Sequence, residues 1–239
     1  MKTSVTIGKG FAAAAFLFLL LNSCTMIAAQ SGTYSEPRTV SEFSAVITGG
    51  SEDLYVTQGA NQKVRIEGDE EDVKDIETNV RNGVLHIEYK DKWFRSHNRV
   101  KIYVTMKDIH GLKLAGSGNI IGETPITTDE LELGISGSGS IKLDVTATEI
   151  NSGISGSGNI RLTGKTTDHN FKISGSGDVN TLDLKADNCA IQISGAGDAK
   201  VNVSKKLDVK ISGSGSIRYA GDPDKVNTNV SGSGSVQKM

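Results

Sequence analysis

A Gly-x-Gly tripeptide returns at a nearly constant interval through the second half of the chain, and this repeat constrains the fold more than any other feature. Segment 134–145, GISGSGSIKLDV, is a typical copy. The interval is about 19 residues, and a period of this length predicts a solenoid or an array of stacked repeats. The first glycines of the copies are Gly116, Gly137, Gly156, Gly175, Gly195, Gly213 and Gly232, and the second glycines are Gly118, Gly139, Gly158, Gly177, Gly197, Gly215 and Gly234.

Apolar and polar residues alternate on both sides of each tripeptide, and the glycines keep the alternation. Ile135, Gly137, Gly139 and Ile141 share one parity, whereas Ser138 has the other. Successive side chains of a strand point to opposite faces, so we expect the aliphatics and glycines to face inward and the serines outward. The glycines are then structural corner residues, placed where the backbone bends and a Cβ has no room.

The sequence therefore predicts an all-β protein, a parallel β-solenoid of about seven coils of about 19 residues, with an N-terminal β-rich region. We expect right-handed coils, since crossovers between parallel strands have that hand. Residues 111–239 form the repeat solenoid. Residues 37–110 contain β-type segments such as KVRIEG and one acidic, helix-like patch at 69–76, and are either a separate β-rich region or irregular first coils.

The first 29 residues have the pattern of a signal peptide. Lys2 and Lys9 precede an apolar run, FAAAAFLFLLL, that is too short to span a bilayer. The signal ends either before Cys24, where LNSC is similar to a lipobox and predicts lipidation of the cysteine, or near Ala29, at an ordinary cleavage site. Residues 30–36 are then a linker. We expect an exported protein, either an outer-membrane-anchored lipoprotein or a free periplasmic or extracellular one.

Charge and composition argue against several functional classes. The chain has 28 acidic and 26 basic residues, a formal net charge of −2. This balance disfavours nucleic acid or an anionic membrane surface as a partner, which leaves a lipid anchor at Cys24 as the expected membrane contact. The histidines show no metal-ligand spacing, so neither a metal nor another cofactor is expected. They are His86, His97, His110 and His169.

Two aspartates form a candidate cation site. Asp178 and Asp198 each follow the second glycine of a repeat, so they should be neighbours on adjacent coils, with Asn159 in the same column. Two close carboxylates repel each other, and a hard cation would relieve this. Two other interpretations stay open: a solvated pair with no function, and a catalytic pair spaced as in retaining glycosidases.

The segment KDKWFRSHNR, at 90–99, is a candidate ligand-contact loop. It contains Trp93, the only tryptophan, next to Phe94 and flanked by Lys92 and Arg95. An exposed aromatic pair in a basic loop could stack on sugar rings or hold an acidic partner. The alternative is that the two aromatic rings fold back over the open end of the coil stack.

Several segments together resemble a known family. RTVSEFSAVITGGSEDLYVTQG, NGVLHIEY and the serial SGSG motifs are similar to the putative auto-transporter adhesin head-domain family of Bacteroidetes-type envelope proteins, over about residues 37–239. The resemblance implies an all-β, β-helix-like protein exported to the periplasm or cell surface. That family defines no site motif that could be placed on this chain.

No nucleophile, base and acid occur together in a recognisable catalytic pattern, so no catalytic residues are assigned and the protein is not expected to be an enzyme. We expect a non-catalytic binding or adhesion protein whose partner is a surface glycan or a protein. The alternative is a polysaccharide-active β-helix hydrolase or lyase.

Little sequence follows Val236, so we also expect the last coil to be covered by the N-terminal region or by a second copy in a homo-oligomer, which light scattering would test.

Overall fold

The computed structural model describes residues 33–90 and 98–239, and they form one 17-stranded sheet. The strands before the regular repeats are short, and one six-residue helix lies at the acidic patch of the sequence. These elements are β1 (Tyr34–Arg38), β2 (Ala45–Thr48), β3 (Asp53–Gln58), β4 (Lys63–Gly68), α1 (Glu70–Asp75), β5 (Ile76–Arg81), β6 (Val84–Tyr89), β7 (Lys101–Met106), β8 (Gly111–Leu114) and β9 (Asn119–Gly122).

The later strands are β10 (Ile126–Gly137), β11 (Ser140–Gly156), β12 (Asn159–Gly175), β13 (Asp178–Gly195), β14 (Asp198–Gly213), β15 (Ser216–Ala220), β16 (Lys225–Gly232) and β17 (Ser235–Lys238). Four of them, β11 to β14, are long because each follows the backbone around most of one coil. All pairings among the later strands are parallel, and each first glycine pairs with the first glycine of the next coil. The prediction of an all-β parallel solenoid of about seven turns is confirmed.

The two glycines of a corner are needed for different reasons. From Gly137 onward the first one adopts a positive φ, 125° at Gly175, and a Cβ on Gly175 would overlap the carbonyl oxygen of Gly156 in the preceding coil. A Cβ on Gly177 would lie 2.6 Å from Cγ2 of Ile154 and 2.7 Å from the carbonyl oxygen of Gly158. The first position thus requires glycine because of its backbone conformation and because the preceding coil lies directly against it. The second requires glycine because an interior side chain of the preceding coil occupies the space of a Cβ.

The N-terminal strands contribute both coils and a cap. β2 and β3 pair in parallel with β6 and β7 on one side and with β8 and β9 on the other. The first coil in chain order is therefore the second in the stack. Three further strands pair antiparallel: β4 pairs with β7, β1 pairs with β4, and β5 pairs with β6. The helix α1 packs against β1, β4 and β5. Together they cover the outer end of the stack.

The interior is filled by columns of aliphatic side chains. Ile154, Ile173, Ile193 and Ile211 form one such column, and none is more than 3% exposed. Neighbouring coils supply the apolar contacts that a single coil could not make alone. Throughout the described ranges, no helix has the length and hydropathy to cross a membrane.

No described residue covers the opposite end of the stack. Within the described part of the chain, β16 pairs only with β14, and β17 only with β15. Val226 and Val230 of β16 are 39% and 40% exposed. The described N-terminal strands lie at the other end of the stack, so they do not cover this coil. Cover by a second copy stays a prediction.

Candidate functional site

The strands that enter the corners present one outward face made of three columns of side chains. We call them the amide column, the lysine column and the serine ladder. The amide column is Asn151, Asn170, Ala190, Asp208 and Asn227; the lysine column is Ile47, Lys113, Gly134, Gly153, Lys172, Gln192, Lys210 and Asn229; the serine ladder is Ser136, Ser155, Ser174, Ser194, Ser212 and Ser231.

Two adjacent shallow cavities follow these columns. One, of about 500 Å³, lies over Gly134 and Gly153, and the other, of about 560 Å³, lies over Gln192 and Lys210. Lys172 lines both, so the two cavities lie end to end along the solenoid axis, and together we call them the axial groove. With coils about 4.8 Å apart, the lysine column from Ile47 to Asn229 is roughly 34 Å long.

The carboxylates beside the axial groove have partners. Glu132 forms an ion pair of 2.8 Å with Lys113. Lys206 lies 2.5 Å from Asp208, and the Asn227 amide donates to the same carboxylate at 2.6 Å. These two hydrogen bonds lower the pKa of Asp208, so it stays ionised and bound. Glu149, at the border, accepts hydrogen bonds from the amides of Asn151 and Asn170.

Unlike these carboxylates, two lysines of the axial groove form no ion pair within the described part of the chain. Within the described residues, neither Lys172 nor Lys210 has a carboxylate within ion-pairing distance, and both side chains are exposed. They lie two coils apart in the lysine column. The middle of the axial groove therefore carries two ammonium groups that form no ion pair with a described carboxylate, next to hydroxyl and amide groups.

A serine and a histidine are hydrogen-bonded beneath this surface. Ser152 Oγ lies 3.2 Å from Nε2 of His169, whose ring packs against Phe171 with centroids 4.9 Å apart. His169 is only 1% exposed, and burial lowers its pKa to about 4, so the imidazole is neutral near pH 7. Cys189, which pairs with His169 on the next coil, is also buried, and burial raises the pKa of its thiol. Ser152, His169 and Cys189 are all buried, so this arrangement is interior packing.

The register brings the predicted aspartate column together. Asn159 pairs with Asp178, and Asp178 pairs with Asp198. All three are exposed, and Oδ1 of Asp198 accepts the backbone N–H of Ser216 at 2.9 Å. Among the described residues, no group of three or more His, Cys, Asp or Glu is arranged to hold a metal ion. A cation on this column stays a prediction, and the column lies on the strands that leave the corners, apart from the axial groove.

Two other predicted sites cannot be placed. Trp93, Phe94, Lys92 and Arg95 fall within 91–97, outside the described residues, and Cys24 falls within the first 32 residues, which are also outside them.

The axial groove itself was missed in the sequence, although a signal for it was present. Gly134 and Gly153 precede a Gly-x-Gly tripeptide by three residues in two successive repeats. Other repeats have Lys172, Gln192 or Lys210 at that place. A glycine that belongs to no corner, repeated in one column, indicates a position where a side chain is omitted for another reason.

Known proteins share this fold. A family model described as "putative auto-transporter adhesin, head GIN domain" matches residues 42–223. The structure of a putative adhesin from Bacteroides fragilis is similar, with a TM-score of 0.81 and 24% identity, covering 87% of this chain and 98% of that one. No curated protein sequence matches the chain.

Two structures from Parabacteroides are also similar. A putative lipid binding protein from Parabacteroides distasonis has a TM-score of 0.71 and 24% identity, covering 88% of this chain and 98% of its own. A putative adhesin from Parabacteroides merdae has a TM-score of 0.69 and 21% identity, covering 88% and 97%. At these identities the structural likeness establishes the fold alone.

Proposed function

This chain belongs to the "putative auto-transporter adhesin, head GIN domain" family, and from that premise we propose that it is an exported, non-catalytic binding protein of the adhesion type. The observation that carries the proposal is the axial groove. Its polar side chains repeat along the stack and do not converge on one point. A repetitive surface of this kind suits an extended partner, which it contacts in many equivalent places.

The chemistry of the described side chains supports binding without catalysis. A hydrolase needs an acid and a base that reach the same substrate atom. Beside the axial groove, Asp208 is held by Lys206 and Asn227, and the neutral His169 is enclosed beneath the surface. The alternative is a polysaccharide-active hydrolase or lyase that uses the exposed pair Asp178 and Asp198, which are neighbours on adjacent coils.

A glycan array and a pull-down from envelope extracts, both with the mature protein, test this proposal. We expect saturable binding to one class of surface glycan or protein, with no change in the bound polymer. Trp93→Ala is the matched variant for the loop at 90–99: if that loop is the contact, this variant alone should lose binding. Release of reducing ends or unsaturated sugars, abolished by Asp178→Asn or Asp198→Asn, would show an enzyme instead.

We also propose that Cys24 anchors the exported protein to a membrane through a lipid. The support is the LNSC segment after the apolar run. Radiolabelled palmitate fed to the native host should label the parent protein but not Cys24→Ala. A parent that is exported without label would show ordinary secretion.

A further inference from the structure

Gly134 and Gly153 have no local reason to be glycine. Neither adopts a positive φ. A Cβ on Gly153 would have no atom within 4 Å, and a Cβ on Gly134 would meet only the flexible side chain of Lys113, at 3.2 Å. Glycine weakens the interior of a strand, and it often marks a place where another molecule approaches the backbone closely.

The two missing side chains leave a notch in the axial groove. Its floor is strand backbone, and Lys113 and Lys172 bound it along the lysine column. Ser136 and Ser155 of the serine ladder lie along one side. The notch is therefore an open space beside hydroxyl and ammonium groups, and a ring that carries hydroxyl groups and a negative charge would complement it.

We propose that the axial groove binds an extended acidic polysaccharide, with one sugar ring over the notch at Gly134 and Gly153 and carboxylates paired with Lys172 and Lys210. This inference rests on the proposed function and names its partner class. The two lysines are about 10 Å apart along the axis, since they are separated by two coil spacings. An extended polymer of uronic acids carries carboxylates at regular intervals, so it can meet both lysines at once.

The lining residues favour a polysaccharide over a protein partner. Protein interfaces depend on a few buried aromatic and arginine anchors. Among the described residues that line the axial groove the one aromatic side chain, Phe171, is 5% exposed, and no arginine is present. The polar groups of the lining are mostly serine hydroxyls, asparagine amides and lysine ammonium groups, and these match the hydroxyls and carboxylates of a uronate chain.

Binding of the mature protein to polygalacturonate, with dextran as the neutral polymer, tests the inference. Biolayer interferometry would compare the parent with Gly153→Val and with the double variant Lys172→Gln, Lys210→Gln. The matched control is the double variant Lys142→Gln, Lys200→Gln, which removes two exposed lysines from the strands that leave the corners. Thermal unfolding of every variant verifies that the fold is intact.

We expect polygalacturonate to bind and dextran not to bind. Gly153→Val should weaken binding at least tenfold while melting no lower than the parent, because valine suits an open strand position. The lysine double variant should also lose at least tenfold, and the control less than twofold. Equal losses in both double variants would show nonspecific charge attraction and overturn the inference, as would unchanged binding by Gly153→Val.

Failure of this inference differs from failure of the proposed function. If the parent protein ignores polygalacturonate but captures a neutral glycan or a protein without altering it, the acidic polysaccharide is wrong and the binding function stands. If it degrades the polymer, the proposed function itself is wrong.

Discussion

At the scale of single residues, glycine occupies two kinds of position in this chain. Gly175 has a φ of 125° and a preceding coil directly against it, so no other residue fits without moving backbone. Gly153 has an ordinary strand conformation and open space. The first kind serves the fold. The second kind costs some strand stability and keeps part of the surface empty.

Valine substitutions should separate the two kinds. Gly175→Val should lower the free energy of unfolding by roughly 3 kcal/mol or more, because it combines a strained φ with overpacking. Gly153→Val should raise it by about 0.5–1 kcal/mol, since a glycine inside a strand is unfavourable by that amount. Urea unfolding followed by circular dichroism measures both. A Gly175→Val protein as stable as the parent would refute this account of the corners.

At the scale of elements, the sequence was sufficient for the repeat strands. The alternation of apolar and polar residues correctly predicted that Ile135, Ile141 and their equivalents are buried. The interval between the glycines correctly predicted which residues of neighbouring coils pair. The acidic patch likewise lies at α1. These predictions succeeded because alternation and period are local properties that the chain repeats many times.

The order of the N-terminal coils could not be predicted in the same way. Alternation tells which face of a strand is buried but not which strand lies beside it. β2 and β3 lie between strands that come later in the chain. Their corner, Gly50-Ser51-Glu52, also lacks the Gly-x-Gly motif, because Glu52 occupies the position of the second glycine. Glu52 is 1% exposed and accepts hydrogen bonds from the Thr48 hydroxyl and the Gly50 N–H.

The candidate site was harder to predict than the fold. Lys172 and Lys210 occupy outward positions, where lysine is ordinary in any soluble β-protein. Only the register shows that they share a column with Gly134 and Gly153. A column is built from residues about 19 positions apart, so a search for motifs of adjacent residues cannot find it.

At the scale of the whole molecule, the coils stack so that equivalent residues of successive repeats lie in straight columns along the axis. One end of the array is capped by antiparallel strands, and the axial groove follows the array on one side of the corners. Binding along such an array gains from many weak, equivalent contacts, and each contact can break and re-form without releasing the polymer. In the binding mode proposed above, this one face, and not the surface charge in general, holds the partner.

Acetylation of lysines in the mature protein, read by mass spectrometry with and without saturating polygalacturonate, tests that claim most directly. Each lysine reports on its own surface, and the chain provides matched exposed lysines on both sides of the corners. In this binding mode we expect the polymer to slow acetylation of Lys172 and Lys210 at least fivefold and to leave that of Lys142 and Lys200 unchanged, because only the first pair faces the axial groove. Equal protection of both pairs, or protection of Lys142 and Lys200 alone, would contradict it.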